Sequence, residues 1–246
     1  GDNQSHLYVD YHLGLRKTLE RIRAKYPDLV IQCCASGGGR VNYGLMPYFD
    51  EFWVSDNTDA QQRLFIQWGS SMFFPACAMA QHVSASPNHQ TRRVIPLKFR
   101  FDVAMTGRLG MEMKPSDLTE KELAYAKNAV ATYKEIRPII QQGNQYRIIS
   151  PYEKTGYASE LYITDDKSEA IFFAYKFEHY VNQFRPRFHF AGLDPAATYK
   201  LTEICRDGKT DHWEGRTFTG KFLMQQGVEI ALNGLFSSKV IRVVKQ

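Results

Sequence analysis

The spacing of apolar residues along this chain changes once, near Gly143, and that change fixes what can fold on either side of it. Before it, apolar residues recur at every third or fourth position between short apolar runs; after it, they recur at every second position. The first pattern belongs to helices alternating with buried strands, the second to strands with one buried face. Tyr8, Tyr11, Leu15, Leu19, Ile22 and Tyr26 fall at steps of three and four and Pro27 follows, which predicts an amphipathic helix. Residues 29–34 then read as a short buried strand running into Ala35-Ser36-Gly37-Gly38-Gly39-Arg40, a loop whose tightness needs glycine.

A second strand over 51–55 ends in Asp56-Asn57-Thr58-Asp59. Helical spacing resumes over 61–69 through Leu64 and Trp68, with Thr58 or Asp59 as its N-cap. A third strand is expected within 73–82 and a fourth near 103–107. The long helix after it opens at the capping box Thr119-Glu120-Lys121-Glu122, runs through Leu123, Ala126, Val130 and Tyr133, and is expected to stop at Pro138. Beyond Gly143, residues 147–149, 160–163, 170–175, 187–190, 199–204 and 240–244 are strand-like, and 164–167, 192–195 and 206–209 are turns. The expected division is an α/β part over 1–143 and an antiparallel β-sandwich over 144–246, with no internal repeat.

A closed (β/α)8 barrel takes about 250 residues on its own, and the α/β part here holds about half as many units. Either it is a small open sheet, or it is the second half of a TIM barrel whose first half lies elsewhere. The chain begins Gly1-Asp2-Asn3-Gln4 rather than with Met, reads as a cut start, and shows no leader.

Several function classes drop out. Hydrophobic residues make up 43% of the chain and aromatics 13%, enough for a core and too many for a disordered protein. No run of about 18 apolar residues exists, so no membrane partner is expected. The net charge of +5 comes from 31 basic and 26 acidic residues scattered along the chain, without the clustered footprint that nucleic acid requires. Cys33, Cys34, Cys77 and Cys205 lack C-x-x-C spacing, which excludes a zinc ribbon and a disulfide scaffold. Free thiols favour the cytoplasm slightly over a periplasmic or secreted location.

Carboxylates at the carboxyl ends of parallel strands are where α/β enzymes place their chemistry, and Asp56 stands at such an end. Trp53, three residues earlier, offers an apolar plate for a sugar face and a wall that desolvates the carboxyl. Set against this, residues 55–59 also read as a turn with a helix N-cap, the role that suits Asp59. The glycine loop lacks the spacing of a P-loop or Rossmann turn and is read instead as a backbone platform for hydroxyls. Cys34 is a packed small residue or, were His82 or His89 beside it, a nucleophile. Residues 82–93 carry many polar groups, for which structural hydrogen bonding outweighs a substrate-side role; a metal would need a third ligand that is not evident. No metal and no cofactor is expected.

Cys34-Ala35-Ser36-Gly37-Gly38-Gly39-Arg40, then Trp53-Val54-Ser55-Asp56-Asn57-Thr58-Asp59-Ala60, then His82-Val83-Ser84 with Pro87-Asn88-His89-Gln90-Thr91 resemble, in this order and spacing, the α-galactosidases of glycoside hydrolase family 36. The resemblance implies a catalytic (β/α)8 barrel followed by a C-terminal antiparallel β domain, and hydrolysis of terminal α-galactosides such as raffinose or melibiose with retention. By position in the family motifs, Asp56 matches the acid/base, Trp53 a wall of the galactose pocket, and Cys34, Ser36 and Gly37 the loop that contacts sugar hydroxyls. The family's nucleophile lies in a Lys-Trp-Asp strand end, and no Lys-Trp-Asp occurs here. The chain is therefore read as the second half of the barrel plus the β domain, inactive alone, with Asp102 the next carboxylate to consider. Gln32 stands where many relatives carry an acidic residue, which bears on pocket polarity. The expected partner is an α-galactoside oligosaccharide, and a homo-oligomer of the whole enzyme stays open. A raffinose-synthase-like transglycosylase and a non-catalytic carbohydrate-binding fragment share the same motifs.

Overall fold

The computed structural model describes residues 4–181 and 183–246; the cut start read at residues 1–3 lies outside them. The chain forms two compact units, the first ending at Asp56 and the second running Asn57–Gln246.

In the first unit, helix α1 (Leu7–Lys25) closes with the Tyr26 N–H bonded to Ile22 O at 2.8 Å, just before Pro27. Strands β1 (Gln32–Cys33) and β2 (Glu51–Trp53) pair in parallel, with Gln32 opposite Glu51 and Cys33 opposite Phe52. The first strand is much shorter than the 29–34 expected, because neighbouring backbone groups are engaged elsewhere. The Leu29 carbonyl accepts from Arg23, and the Ile31 N–H donates to the Asp50 carboxylate at 2.7 Å.

The second unit opens with α2 (Ala60–Ser71), whose N-cap is Asp59: its carboxylate accepts from the Gln62 N–H at 3.0 Å. Strand β3 (Met79–Ser84) follows, then α3 (Leu97–Ala104) and β4 (Arg108–Glu112), which pairs in parallel with β3 from Ala80↔Arg108 to Ser84↔Glu112. Two expectations need correcting here. The third strand begins at Met79, after a 3₁₀ turn over Ala76–Ala78, and the fourth lies at 108–112 because residues 97–104 are helical. All eight residues of α3 are buried, so it shows no amphipathic stripe; its helical signal is the Lys98–Asp102 ion pair one turn apart, at 2.7 Å.

Helix α4 (Glu120–Gln142) has the expected capping box at Thr119 and Glu122 but runs through Pro138 for four more residues. An internal proline costs about 3 kcal/mol, while burying a large aliphatic side chain returns about 1.5–3 kcal/mol. Ile136, Ile139 and Ile140 are all buried around it, so packing wins.

After Gly143 come β5 (Asn144–Ile149), β6 (Tyr157–Ile163), β7 (Glu169–Lys176), β8 (Arg187–Phe188), β9 (Thr198–Ile204), β10 (Thr217–Thr219), the short helix α5 (Gly220–Gln225), β11 (Val228–Glu229) and β12 (Ser237–Lys245). A six-stranded antiparallel sheet has the order β10-β9-β12-β7-β6-β5, and β11 pairs with β8 in a two-stranded ribbon. One sheet face, through Leu161, Phe172, Leu201 and Ile241, shares a core with Phe188, Phe190, Trp213 and Leu223. The second layer is thus this ribbon with α5 rather than a full second sheet.

The other face meets the helices. Tyr175 OH donates to Asp102 O at 2.9 Å, Ser238 Oγ to Asp102 Oδ2 at 2.7 Å, and Arg147 Nε to Ser71 Oγ at 2.8 Å. Central strand β7 is consequently buried on both faces, which is why residues 170–175 read as unbroken apolar sequence. The change of period at Gly143 therefore falls inside one compact unit.

At this junction Glu160 Oε2 accepts from Gln145 Nε2 at 2.7 Å and lies 3.0 Å from Tyr162 OH, which is also 3.0 Å from Thr106 O. The tyrosine has one proton to give. A protonated Glu160 donating to Tyr162, with Tyr162 donating to Thr106, satisfies every partner, and burial raises the Glu160 pKa in that direction. A carboxyl raised on folding contributes stability that is fully present below its unfolded value, about 4.3, and lost as pH rises through the folded value. Glu160→Gln mimics the protonated form, so its melting temperature relative to the parent should rise across that window and match the parent below it. A relative fall with rising pH would contradict this assignment.

Candidate active site

The site is built at the carboxyl ends of β1 and β2, within the first unit. Asp50, just before β2, sets their register: its Oδ2 accepts from the Ile31 N–H and from Arg23 Nη2, each at 2.7 Å, while its own N–H donates to Ile31 O at 2.9 Å. Arg23 also donates through Nε to Tyr48 O at 3.0 Å, joining α1 to the start of β2. One register step on, Gln32 Nε2 donates to Glu51 Oε1 at 2.7 Å. The amide at residue 32 supplies a donor to that carboxylate, which an acidic residue would supply only when protonated.

Because Cys33 pairs with Phe52, residues 34–40 and 54–56 leave the two strands side by side. The glycine loop folds on itself: Gly39 N–H donates to Ala35 O at 3.2 Å and Val41 N–H to Gly38 O at 3.1 Å. Ser36 and Gly37 both have positive φ, +48° and +74°. A methyl group at residue 37 would lie 2.7 Å from Ser55 Cα and 3.0 Å from Asp56 N, so only glycine lets the loop rest on the backbone that carries the carboxylate. Gly37 is buried there, while Cys34 and Ser36 are exposed at the surface of the loop.

Trp53 ends β2 with 7% of its surface exposed, and its Nε1–H donates to Asp56 Oδ1 at 3.1 Å. The indole therefore meets the carboxyl with its polar edge, where the sequence suggested an apolar plate and a desolvating wall. Asp56 itself is exposed. All five residues singled out, Cys34, Ser36, Gly37, Trp53 and Asp56, thus stand on two adjoining strand ends of one unit.

The polar residues 82–93 belong to the second unit and serve its architecture. Asn88 Nδ2 donates to Thr58 Oγ1 at 3.0 Å, and Asn88 Oδ1 accepts from the Gln90 and Thr91 N–H groups at 3.0 and 3.1 Å. Ser84 Oγ donates to Thr58 O at 2.7 Å; Thr91 Oγ1 and Arg93 Nη1 reach the two oxygens of the fully buried Asp59 at 2.5 and 2.7 Å. These groups clamp the start of α2. His82 is a β3 residue whose ring lies against Gly110, and His89 is exposed. Among the described residues no group of three or more His, Cys, Asp or Glu is placed to hold a metal ion. All four cysteines are free. Asp102 is enclosed in α3 with Lys98 and Ser238 on its Oδ2, so it is a buried packing group. The Arg23–Asp50 pair had no sequence signal: its partners are 27 residues apart and share no spacing rule.

The Melibiase family model matches residues 2–143, and the glycosyl hydrolase family 36 C-terminal domain model matches residues 157–243. Probable alpha-galactosidase C of Aspergillus flavus is 37% identical over 238 residues, covering 96% of this chain and 30% of its own length. Alpha-galactosidase AgaA of Geobacillus stearothermophilus is 39% identical over 191 residues, covering 78% of this chain and 26% of its own. Among solved structures, the galactosidase domain of the alpha-galactosidase-sucrose kinase AgaSK superposes with a TM-score of 0.89 at 32% identity, covering 98% of this chain and 32% of that one. A substituted AgaA in complex with raffinose gives 0.88 at 34% identity, covering 96% and 31%. The chain spans about 30% of the length of the relatives it matches.

Two glycines test the packing argument with opposite signs. Gly37→Ala should destabilise the protein by about 1–3 kcal/mol, since the residue combines positive φ with a backbone contact. Gly14→Ala, in the middle of α1 with nothing within 4 Å, should stabilise it by about 0.5–1 kcal/mol. Thermal melts of both variants read the difference; equal shifts would remove the steric reason for glycine at residue 37.

Proposed function

The chain belongs to glycoside hydrolase family 36, and on that premise we propose that the protein it represents is a retaining α-galactosidase releasing terminal galactose from raffinose- or melibiose-type sugars. In this reading residues 1–143 supply the second half of a (β/α)8 barrel and residues 144–246 a C-terminal antiparallel β domain. The observation that carries it is the Asp56 carboxyl, exposed at a parallel strand end, held by Trp53 and seated on the Ser36–Gly37 turn. The alpha-galactosidase AgaA has been solved with raffinose and with stachyose, and the same class of oligosaccharide is proposed here.

Retaining glycosidases use two carboxyl groups about 5–5.5 Å apart, one as nucleophile and one as acid then base. Asp56 takes the second part: it protonates the leaving oxygen as the nucleophile attacks the anomeric carbon, then removes a proton from the water that releases galactose. Cys34, Ser36 and Gly37 face the sugar hydroxyls, and Trp53 bounds the galactose pocket. The nucleophile belongs to the Lys-Trp-Asp strand end of the family pattern, a tripeptide that residues 1–246 do not contain.

Two results check this reading. In the whole enzyme, Asp56→Asn should keep turnover of an activated aryl galactoside far better than that of raffinose, because a good leaving group needs little protonation. Equal loss on both would count against the acid role. Residues 1–246 expressed alone should show no measurable turnover of an aryl α-galactoside, because an acid/base without a nucleophile forms no glycosyl intermediate. Ordinary glycosidase rates from this piece, abolished by Asp56→Ala, would overturn that part.

A further inference from the structure

Trp53 and Asp56 are three residues apart, and the link between them is directional: the indole Nε1–H donates to Oδ1 of the carboxyl at 3.1 Å. An indole N–H only donates, so the oxygen it holds has to accept whatever the protonation state of the acid. An oxygen bearing a proton is a poorer acceptor than its partner in the same carboxyl group. The bond therefore survives the catalytic cycle best if the proton resides on Oδ2. The ring is anchored for this task, being 7% exposed at the end of β2, while the carboxyl it holds is exposed. The main chain at Asp56 is fixed independently by the close approach of Gly37 to Ser55 Cα and Asp56 N.

We propose that Trp53 is a positioning residue for the acid/base: by occupying Oδ1 of Asp56, its N–H makes Oδ2 the oxygen that gives and takes the catalytic proton. The inference rests on the acid/base reading of Asp56 given above and adds to it which oxygen acts and what selects it. In the first step the Oδ2 proton passes to the glycosidic oxygen as that oxygen leaves the anomeric carbon, and the nucleophile's carboxylate bonds to the same carbon. In the second, Oδ2 takes a proton from water as the water oxygen bonds to the anomeric carbon and the nucleophile departs. Oδ1 stays with the indole through both.

The discriminating variant is Trp53→3-benzothienylalanine in the whole enzyme, which replaces the N–H with sulfur and keeps a bicyclic ring of nearly the same shape. With the hydrogen bond to Oδ1 removed, kcat on raffinose should fall about 10- to 100-fold, the scale of a misplaced catalytic group. On a 4-nitrophenyl α-galactoside the fall should be several-fold smaller, because that leaving group needs little protonation. Trp53→Phe should show the same split between substrates. Parent-like kcat on both substrates in the benzothienyl variant, or an equal loss on both, overturns the proposal. Asp56→Ala with added azide tests the underlying reading separately. Recovery of aryl galactoside turnover by azide supports the acid/base role of Asp56, and its absence removes that role whatever Trp53 does.

Discussion

Asp50 places one carboxylate oxygen 2.7 Å from both the Ile31 amide and the Arg23 guanidinium, and the strand ends inherit their relative height from that contact. A β1 of two residues has too few ladder bonds to choose its own register against β2. A hydrogen bond to a charged group is worth about 1.5–3 kcal/mol, and leaving the Ile31 N–H unmatched would add a penalty of similar size. With Gln32 opposite Glu51, the loop after Cys33 emerges beside residues 54–56, and a glycine at 37 can lie against the backbone there. A slip by one residue would turn the buried Cys33 and the exposed Gln32 to opposite sides and lift the turn off Asp56.

The second unit is held by a different kind of contact. The central strand of its six-stranded sheet is apolar on both faces, yet the seam with the helices carries a row of specific hydrogen bonds through Tyr175, Ser238, Tyr162 and Arg147. Apolar burial supplies the attraction and tolerates sliding; buried polar groups do not, since each displaced partner is left unsatisfied. The seam is thereby fixed in position as well as held together.

How much of this was readable in the residues depends on how local the cause was. The capping box at Thr119 and Glu122, the Asp59 cap and the long β strands follow from spacings of two to four residues, and they stand where the sequence put them. That the glycine loop and Asp56 follow two strand ends was legible for the same reason. Helix α3 was not, because a helix buried on all sides has no periodic face; nor was the continuation of α4 past Pro138, which depends on isoleucines packing elsewhere in the fold. The short elements β10, α5 and β11 hold too few residues for a pattern. The hydrogen bond from Trp53 to Asp56 lay between legible residues, but its direction needed the ring's orientation.

The clamp around Thr58 and Asp59 has an evolutionary side. Residues 85–96 contribute no strand or helix, and what ties them to α2 is a set of side-chain bonds from Asn88, Thr91 and Arg93, with Ser84 and Gln90 closing on Thr58. Hydrophobic exchange leaves a core workable when volume is kept, but a mesh of matched donors and acceptors has no such slack. Drift at one of these positions leaves a buried partner stranded, so the loop and the first turn of α2 have to change as a single heritable block. Grafting this loop between related chains should therefore succeed only when Thr58, Asp59 and Ser84 travel with it.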